Sequence, residues 1–185
     1  MKRSSQMPYI KTCHGMTLVE VLVATVVIAI GLLGIATLQI TALQGASNAD
    51  YRSRAIDLAS ALSDRMHANL DGVADNNFSP YTSTTADCAS VPNPICAMTP
   101  NDGSTVAECT PAQMAAFDLW KIGCGNAMQS SLPGGRLSVT CLDNDASDSD
   151  DCTDLSPMLI TVSWQLQSDT NASDEVVMTV IPGAP

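Results

Sequence analysis

The chain has 185 residues, of which only 4% are aromatic, and its formal net charge is −11. A length of this order predicts one small globular domain together with an extended segment. All 19 acidic residues lie at Glu20 or later, with only five of the eight basic residues, and so acidic a balance excludes electrostatic binding to nucleic acid.

A short basic segment opens the chain and is followed by a long apolar run. Lys2, Arg3 and Lys11 precede residues 21–40, a 20-residue stretch without a charged side chain. A helix of that length crosses the apolar core of a bilayer, and basic residues before a span keep their end in the cytoplasm. A secretory signal has similar parts but a shorter apolar region, so the sequence predicts a single membrane span.

The helical pattern continues beyond the apolar run. No proline occurs between Pro8 and Pro80, and Asp71 and Gly72 provide a plausible end. Apolar residues recur at steps of three and four, as expected for one face of an amphipathic helix: Ile56, Ala59, Leu62, Met66 and Leu70. We therefore predict one helix from about residue 17 to 70, apolar all round in its first half and amphipathic in its second.

Glu20 stands at the edge of the apolar run. An ionisable residue in such a place is costly and by default indicates a function or a partner. The alternative is that Glu20 has no partner and its side chain only extends to the lipid headgroups. If the chain were cut before Met16, the new α-amino group would lie four residues from Glu20 and could neutralise it, within one subunit or between neighbours.

The run from Gly15 to Glu20, with its basic leader and long apolar helix, resembles the type IV prepilin family. The resemblance implies that a membrane prepilin peptidase cuts after Gly15 and methylates the new N-terminal residue, Met16. Phenylalanine is the commoner residue there. The resemblance also implies that Glu20 docks subunits together.

The same resemblance implies four segments along the chain. Residues 1–15 form the leader, 16–43 the transmembrane and filament-core helix, 44–70 its amphipathic continuation, and 71–185 the head domain. The head is expected in the periplasm before assembly and in an extracellular pilus afterwards, with the N-terminus on the cytoplasmic side of the inner membrane.

Seven cysteines are present, and Cys13 would leave with the leader. A small domain poor in aromatic residues is often stabilised by disulfides, which persist in oxidising compartments. The sequence has no CxxC pair and no Cys/His cluster, so a zinc site is not favoured. We predict disulfides, with their pairing left open, among the remaining cysteines: Cys88, Cys96, Cys109, Cys124, Cys141 and Cys152.

The head begins with a loop-like region, residues 71–110, that is rich in proline and small polar residues. Thr110, Pro111 and Gln113 then have the pattern of a helix start with a capping box. Apolar spacing would allow this helix to reach about residue 131, whereas Gly123 and Gly125 would equally allow it to end near 122.

Three strands are predicted after the turn at residues 132–135. They cover about 136–142, 157–167 and 175–181, and the polar residues 168–174 would form a hairpin connection. The fold class is therefore α+β, a long N-terminal helix packed against a small antiparallel sheet. Asp118, Trp120 and the string Leu-Pro-Gly-Gly-Arg at 132–136 further resemble the minor pilins of the PilV kind, or type IV pilus modification proteins.

An aspartate-rich stretch lies between Cys141 and Cys152 and continues to Asp154. Calcium favours such oxygen clusters. The weak candidates for its ligands are Asp143, Asp145, Asp151 and Asp154. The favoured interpretation is a solvated acidic loop, closed by a disulfide between Cys141 and Cys152, because Asp148 stands where a calcium loop needs glycine. We expect no cofactor.

An enzyme is not predicted. One of the two histidines, His14, would leave with the leader, and His67 lies alone on the amphipathic helix. No nucleophile elbow, phosphate-binding loop or HExxH motif occurs, and oxidised cysteines cannot act as nucleophiles.

The resemblance instead implies a minor pilin that initiates pilus assembly and serves twitching motility and attachment. Its implied partners are other minor pilins, the major pilin, prepilin peptidase and the inner-membrane assembly platform. A type II secretion pseudopilin of the I type is the first alternative, and a tip adhesin is the second.

Overall fold

The computed structural model describes residues 15–73, 80–83, 86, 88–96, 108–145, 147, 152–153, 155–166 and 169–181. Within them the elements are α1 (Leu18–Ala68), a short 3-10 helix (Leu70–Gly72), α2 (Pro111–Gly123), α3 (Asn126–Ser131), β1 (Arg136–Cys141), β2 (Met158–Leu166) and β3 (Asp169–Val180). The chain divides into two compact units, residues 1–43 and 44–185, and α1 contributes to both. The predicted α+β class is confirmed.

Helix α1 has 51 residues, so the prediction of one long helix is confirmed. The predicted apolar face was partly wrong, because Ile56 is 41% exposed and Leu70 is only half-buried. The buried face keeps the other three predicted residues, adds Ala55 and Leu58, and follows helical spacing: Ala55, Leu58, Ala59, Leu62 and Met66.

The three strands form one antiparallel sheet in the order β1-β2-β3. Alternate residues of β2 are buried, as expected when one face of a sheet covers a core. The core joins the buried face of α1 to these strands and to α2; its strand residues are Leu137, Val139, Met158, Ile160, Val162, Trp164, Val176 and Val180.

The third strand is longer than the sequence suggested. Residues 168–174 were predicted as a polar hairpin connection, but β3 already begins at Asp169. Trp164 pairs with Asp174 and Gln165 with Ser173, before the register shifts between Gln165 and Leu166. Main-chain pairing therefore extends into a polar segment whose side chains gave no strand signal, and residues 167 and 168 lie outside the described residues.

Helix α2 starts as predicted. The Thr110 hydroxyl accepts a hydrogen bond from the Gln113 backbone N–H (3.3 Å), and the Gln113 side chain accepts one from the Thr110 N–H (2.9 Å). The helix ends at Gly123, the shorter of the two predicted lengths. A side chain at Gly125 would overlap the carbonyl oxygen of Lys121, so glycine there permits the break before α3.

A polar cluster around the buried Asp118 attaches α2 to α1, and we call it the Asp118 network: Arg65, Asn69, Tyr81 and Asp118. Arg65 Nη1 donates to Asp118 Oδ1 (2.6 Å), and the Tyr81 hydroxyl donates to Asp118 Oδ2 (2.8 Å). Asn69 Nδ2 donates to the Tyr81 hydroxyl (3.2 Å) and to the Pro111 carbonyl (2.9 Å). Burial raises the pKa of the Tyr81 hydroxyl, which keeps it protonated as a donor.

All six head cysteines are paired. The disulfides are Cys88–Cys124, Cys96–Cys109 and Cys141–Cys152. The first ties the loop after residue 80 to the end of α2, and the third closes the acidic loop between β1 and β2. Ser83 and Val139 exchange two backbone hydrogen bonds (2.9 and 2.8 Å), so the same loop also covers part of the outer edge of β1.

The Leu-Pro-Gly-Gly string forms the tight turn into β1. Gly135 N donates to Leu132 O (3.1 Å), and Gln165 N donates to Pro133 O (2.8 Å), which fastens the turn to β2. Gly134 has φ +60°, and a Cβ there would lie 2.8 Å from Gln165 Cδ. Glycine is therefore required at Gly134 for its backbone angle and for the close approach of Gln165.

We expect Gly134→Ala to lower the free energy of unfolding by about 1–2 kcal/mol, because a Cβ is strained at positive φ. Gly134→Asn is the matched control, since asparagine tolerates this conformation better while presenting the same Cβ to Gln165. Denaturant unfolding of the full chain in detergent, with its disulfides intact, measures both. Equal losses would assign the effect to Gln165, and no loss would contradict the strain argument.

Candidate functional site

The start of α1 is fixed by Thr17. Glu20 N donates to the Thr17 carbonyl (3.1 Å) and to its hydroxyl (3.3 Å), and Val21 N also donates to the Thr17 carbonyl (3.3 Å). Thr17 is therefore the N-cap, and Glu20 stands at the third helical position. An acidic side chain is favourable there because the free N–H groups give a helix N-terminus partial positive charge.

Glu20 itself is exposed. Among the residues that the structure describes, no donor contacts its carboxylate. The backbone N–H of Glu20 is satisfied by Thr17, whereas the charge of its side chain is not. The first turn therefore presents an anionic group that is available to a cation from outside the subunit or from a newly made N-terminus.

Gly15 and Met16 precede the helix and are exposed. A Cβ added at Gly15 would meet nothing within 4 Å, so the fold places no demand for glycine at this position. Packing against the described residues therefore does not explain the glycine at this position. Gly31, Gly34 and Gly45 are equally open, which fits either close helix–helix contact or local bending.

The part of α1 that belongs to the first compact unit, up to Leu43, exposes an almost continuous apolar surface. Sixteen large apolar side chains between Met16 and Leu43 are exposed, many by more than half. This helix is long and apolar enough to cross a membrane by length and composition, with a mean hydropathy of 2.7 over its most apolar window. Such a surface requires lipid or other apolar helices around it.

The threonines of this apolar segment suit the same environment. The hydroxyls of Thr25, Thr37 and Thr41 donate to carbonyl oxygens three or four residues earlier, at 2.8, 2.8 and 3.1 Å. Each of these hydroxyls thus finds its partner within the helix, which removes the cost of exposing it unpaired to hydrocarbon.

The acidic loop organises itself through Asp143. Asp143 Oδ1 accepts from Thr153 N (3.1 Å), Thr153 Oγ1 (2.7 Å) and Ser156 Oγ (3.4 Å). Asp145 Oδ1 accepts from Ser147 N (3.0 Å) and Ser147 Oγ. These bonds, led by those from Thr153 and Ser147, hold the pKa of both carboxyls below the usual range.

The calcium hypothesis gains nothing from this geometry. No metal-binding group of acidic, histidine or cysteine residues is found in the part of the chain that the structure describes. The other two candidate ligands, Asp151 and Asp154, lie outside the described residues. The oxygen best placed to bind a cation, Asp143 Oδ1, already has protein donors. His67 is exposed on α1, and His14 lies outside the described residues.

Sequence reasoning named Gly15, Met16 and Glu20 but missed two features. Thr17 was not recognised as a cap, although a threonine three residues before a glutamate at the start of an apolar run is a capping-box pattern. The Asp118 network was also missed. Arg65 and Asp118 are 53 residues apart, and no local spacing joins them.

Two models of known protein families match neighbouring parts of the chain. Residues 10–36 match the Prokaryotic N-terminal methylation motif, and residues 37–120 match the family described as Type IV pilin Tt1218. No curated protein and no solved structure matches the chain. The two matches are contiguous, and they cover the helix start, all of α1 and the attachment of α2. The chain belongs to the type IV pilin-like family.

Proposed function

We propose that this chain is a minor pilin of the type IV pilus that helps to initiate filament assembly. The observation that carries the proposal is Glu20, an exposed carboxylate in the first turn of a helix whose apolar side chains are exposed as far as Leu43. In hydrocarbon that charge is costly without a partner. The α-amino group of a processed neighbouring subunit would pair with Glu20. This pair would fix the axial offset between the two neighbouring helices.

Processing at Gly15 follows from this proposal. A prepilin peptidase would remove residues 1–15 and methylate Met16, which leaves the new amine four residues before Glu20 in the sequence. Among the described residues, packing places no demand for glycine at Gly15, which is compatible with a role in processing. Before assembly the N-terminus would face the cytoplasm and the disulfide-bonded head the periplasm, in keeping with the basic leader.

The proposed partners are other pilin subunits, prepilin peptidase and the inner-membrane assembly platform. The role is structural and non-enzymatic, and it would affect twitching motility and attachment through the filament. The minor-pilin assignment rests on the PilV-like string of the sequence, which forms the turn between α3 and β1.

The test is the non-reduced intact mass of the protein from its own cells, combined with a deletion. We expect the mass of residues 16–185 plus one methyl group, less two hydrogens for each of the three disulfides. We expect the deletion to reduce piliation and twitching. A retained leader in cells with active peptidase would overturn the processing step. Loss of secreted enzymes with normal pili would indicate a secretion pseudopilin, and lost adhesion with normal pili a tip adhesin.

A further inference from the structure

One end of the sheet face opposite the core carries apolar side chains, and we call it the outer apolar patch: Leu142, Pro157, Leu159, Val177 and Ile181. The register places Leu142, Pro157 and Ile181 at the same end of the three strands, with Leu159 in the next row between Thr140 and Thr179. Val177 lies opposite Thr161 and diagonally beside Leu159. Cys141 pairs with Met158 and Met158 with Val180, and Leu142 N donates to Pro157 O (2.8 Å), which continues the ladder by one residue. Alternation then puts these five residues on the face that is turned away from α1.

The side chains of the patch are apolar although they lie on the exposed face of the sheet. On β3, Val176 and Val180 are buried in the core, whereas Val177 is 50% exposed. Ile181, the residue after the strand, is 62% exposed. Leu142 is 50% exposed, and Leu159 and Pro157 are half-buried. A solvated face of an antiparallel sheet normally carries polar side chains. A contiguous exposed apolar surface with a polar rim is typical of an interaction site.

The patch is bordered by threonines along the strands and by an acidic loop at the end of β1, where the carboxylate of Asp143 is held in place. Asp143 directly follows Leu142, and the hydrogen bonds from Thr153 and Ser156 fix its carboxylate. The Cys141–Cys152 disulfide closes the same loop. Arg136, the basic residue of β1, lies at the other end of that strand and pairs with Ser163. A partner therefore meets an apolar centre beside fixed negative charge.

We propose that the outer apolar patch is a docking surface for a neighbouring filament subunit that presents apolar side chains flanked by lysine or arginine. This inference rests on the proposed function. Charge complementarity selects the occupant, because the acidic loop at the end of β1 repels anionic lipid and polyanions. A second copy is disfavoured as well, because from Glu20 onward this chain has only five basic residues against 19 acidic ones.

A photo-crosslinking side chain placed at Val177 in the full chain, in its own cells, tests the contact. Ser173 is the matched position, because it is exposed on the same face of β3, four residues away and outside the patch. We expect an adduct at 177 with a different pilin-type subunit, joined through a peptide that contains lysine or arginine, and none at 173. No adduct at 177, equal adducts at both positions, or an adduct with lipid or a second copy would overturn the proposal.

Substitution provides a second measurement. Val177→Glu is expected to lower the amount of this chain recovered with sheared filaments by about tenfold or more, because it places an unpaired charge in an apolar contact. Ser173→Glu adds the same charge outside the patch and is expected to have no such effect. Val177→Thr keeps a β-branched side chain and is expected to give an intermediate loss, even if the glutamate variant folds poorly.

The deletion strain separates this inference from the function on which it rests. If deletion abolishes piliation while Val177→Glu and Val177→Thr incorporate normally, the patch is not a docking surface although the pilin role stands. If deletion leaves piliation and twitching intact, the proposed function itself fails. Normal membrane levels and intact disulfides in each variant show that folding is not the cause of a loss.

Discussion

Glu20→Ala is expected to leave the chain folded, inserted and cleaved, but to reduce its incorporation into filaments by about a hundredfold or more. The size follows from the environment, since breaking a charge pair buried in a low-dielectric contact costs about 3–5 kcal/mol. The fold does not depend on this side chain, because the cap at Thr17 uses only the Glu20 backbone N–H.

Two further substitutions at Glu20 separate charge from shape. Glu20→Gln keeps the length and the hydrogen-bonding oxygen but removes the charge, and it should behave almost like alanine if neutralisation of the neighbour's amine matters. Glu20→Asp keeps the charge at a shorter reach and should retain more incorporation. Immunoblots of sheared filaments against membrane fractions measure all three. Normal incorporation of the alanine variant would remove Glu20 from the docking mechanism.

The second large effect is expected at Asp118, whose removal should lower the free energy of unfolding of the head by about 3 kcal/mol. Asp118→Ala leaves Arg65 and the Tyr81 hydroxyl without their acceptor in a nearly closed site. The Asp118 side chain is 3% exposed, whereas that of Arg65 is 39% exposed. Solvent therefore compensates Arg65 in part, which keeps the estimate at the lower end of the range for buried pairs.

Tyr81→Phe is the matched control for the network. It removes one hydrogen bond to Asp118 and one from Asn69 while the ion pair with Arg65 remains, so a loss of about 1 kcal/mol is expected. Denaturant unfolding in detergent, followed by tryptophan fluorescence, measures both variants. An Asp118→Ala loss no larger than that of Tyr81→Phe would show that the ion pair adds nothing.

Local signals predicted the parts of the fold that depend on neighbours in sequence. The 51 residues of α1, the cap at Thr110 and the three strands all have their cause within a few residues. The end of α2 near Gly123 was one of two alternatives that the glycines left open. Gly15, Met16 and Glu20 could be proposed from the sequence because the charged leader, the helix start and the apolar run follow one another directly.

The remaining features depend on contacts that are distant in sequence. The pairing of Cys88 with Cys124 spans 36 residues, and the spacing of six cysteines does not determine it. The Arg65–Asp118 pair spans 53 residues. The first residues of β3 were missed because their pairing with β2 arises in the main chain, while their side chains are polar.

The positions of the disulfides have a mechanical consequence. All three crosslinks lie between Cys88 and Cys152, and helix α1 contains no cysteine. Tension applied to a filament through its core helices would enter each subunit along α1. It would reach the crosslinked head through the main chain after Ala68 and across non-covalent contacts, chiefly the buried face of the helix and the Arg65–Asp118 pair. Under pulling, the head is thus expected to peel from its helix before its own crosslinked loops extend.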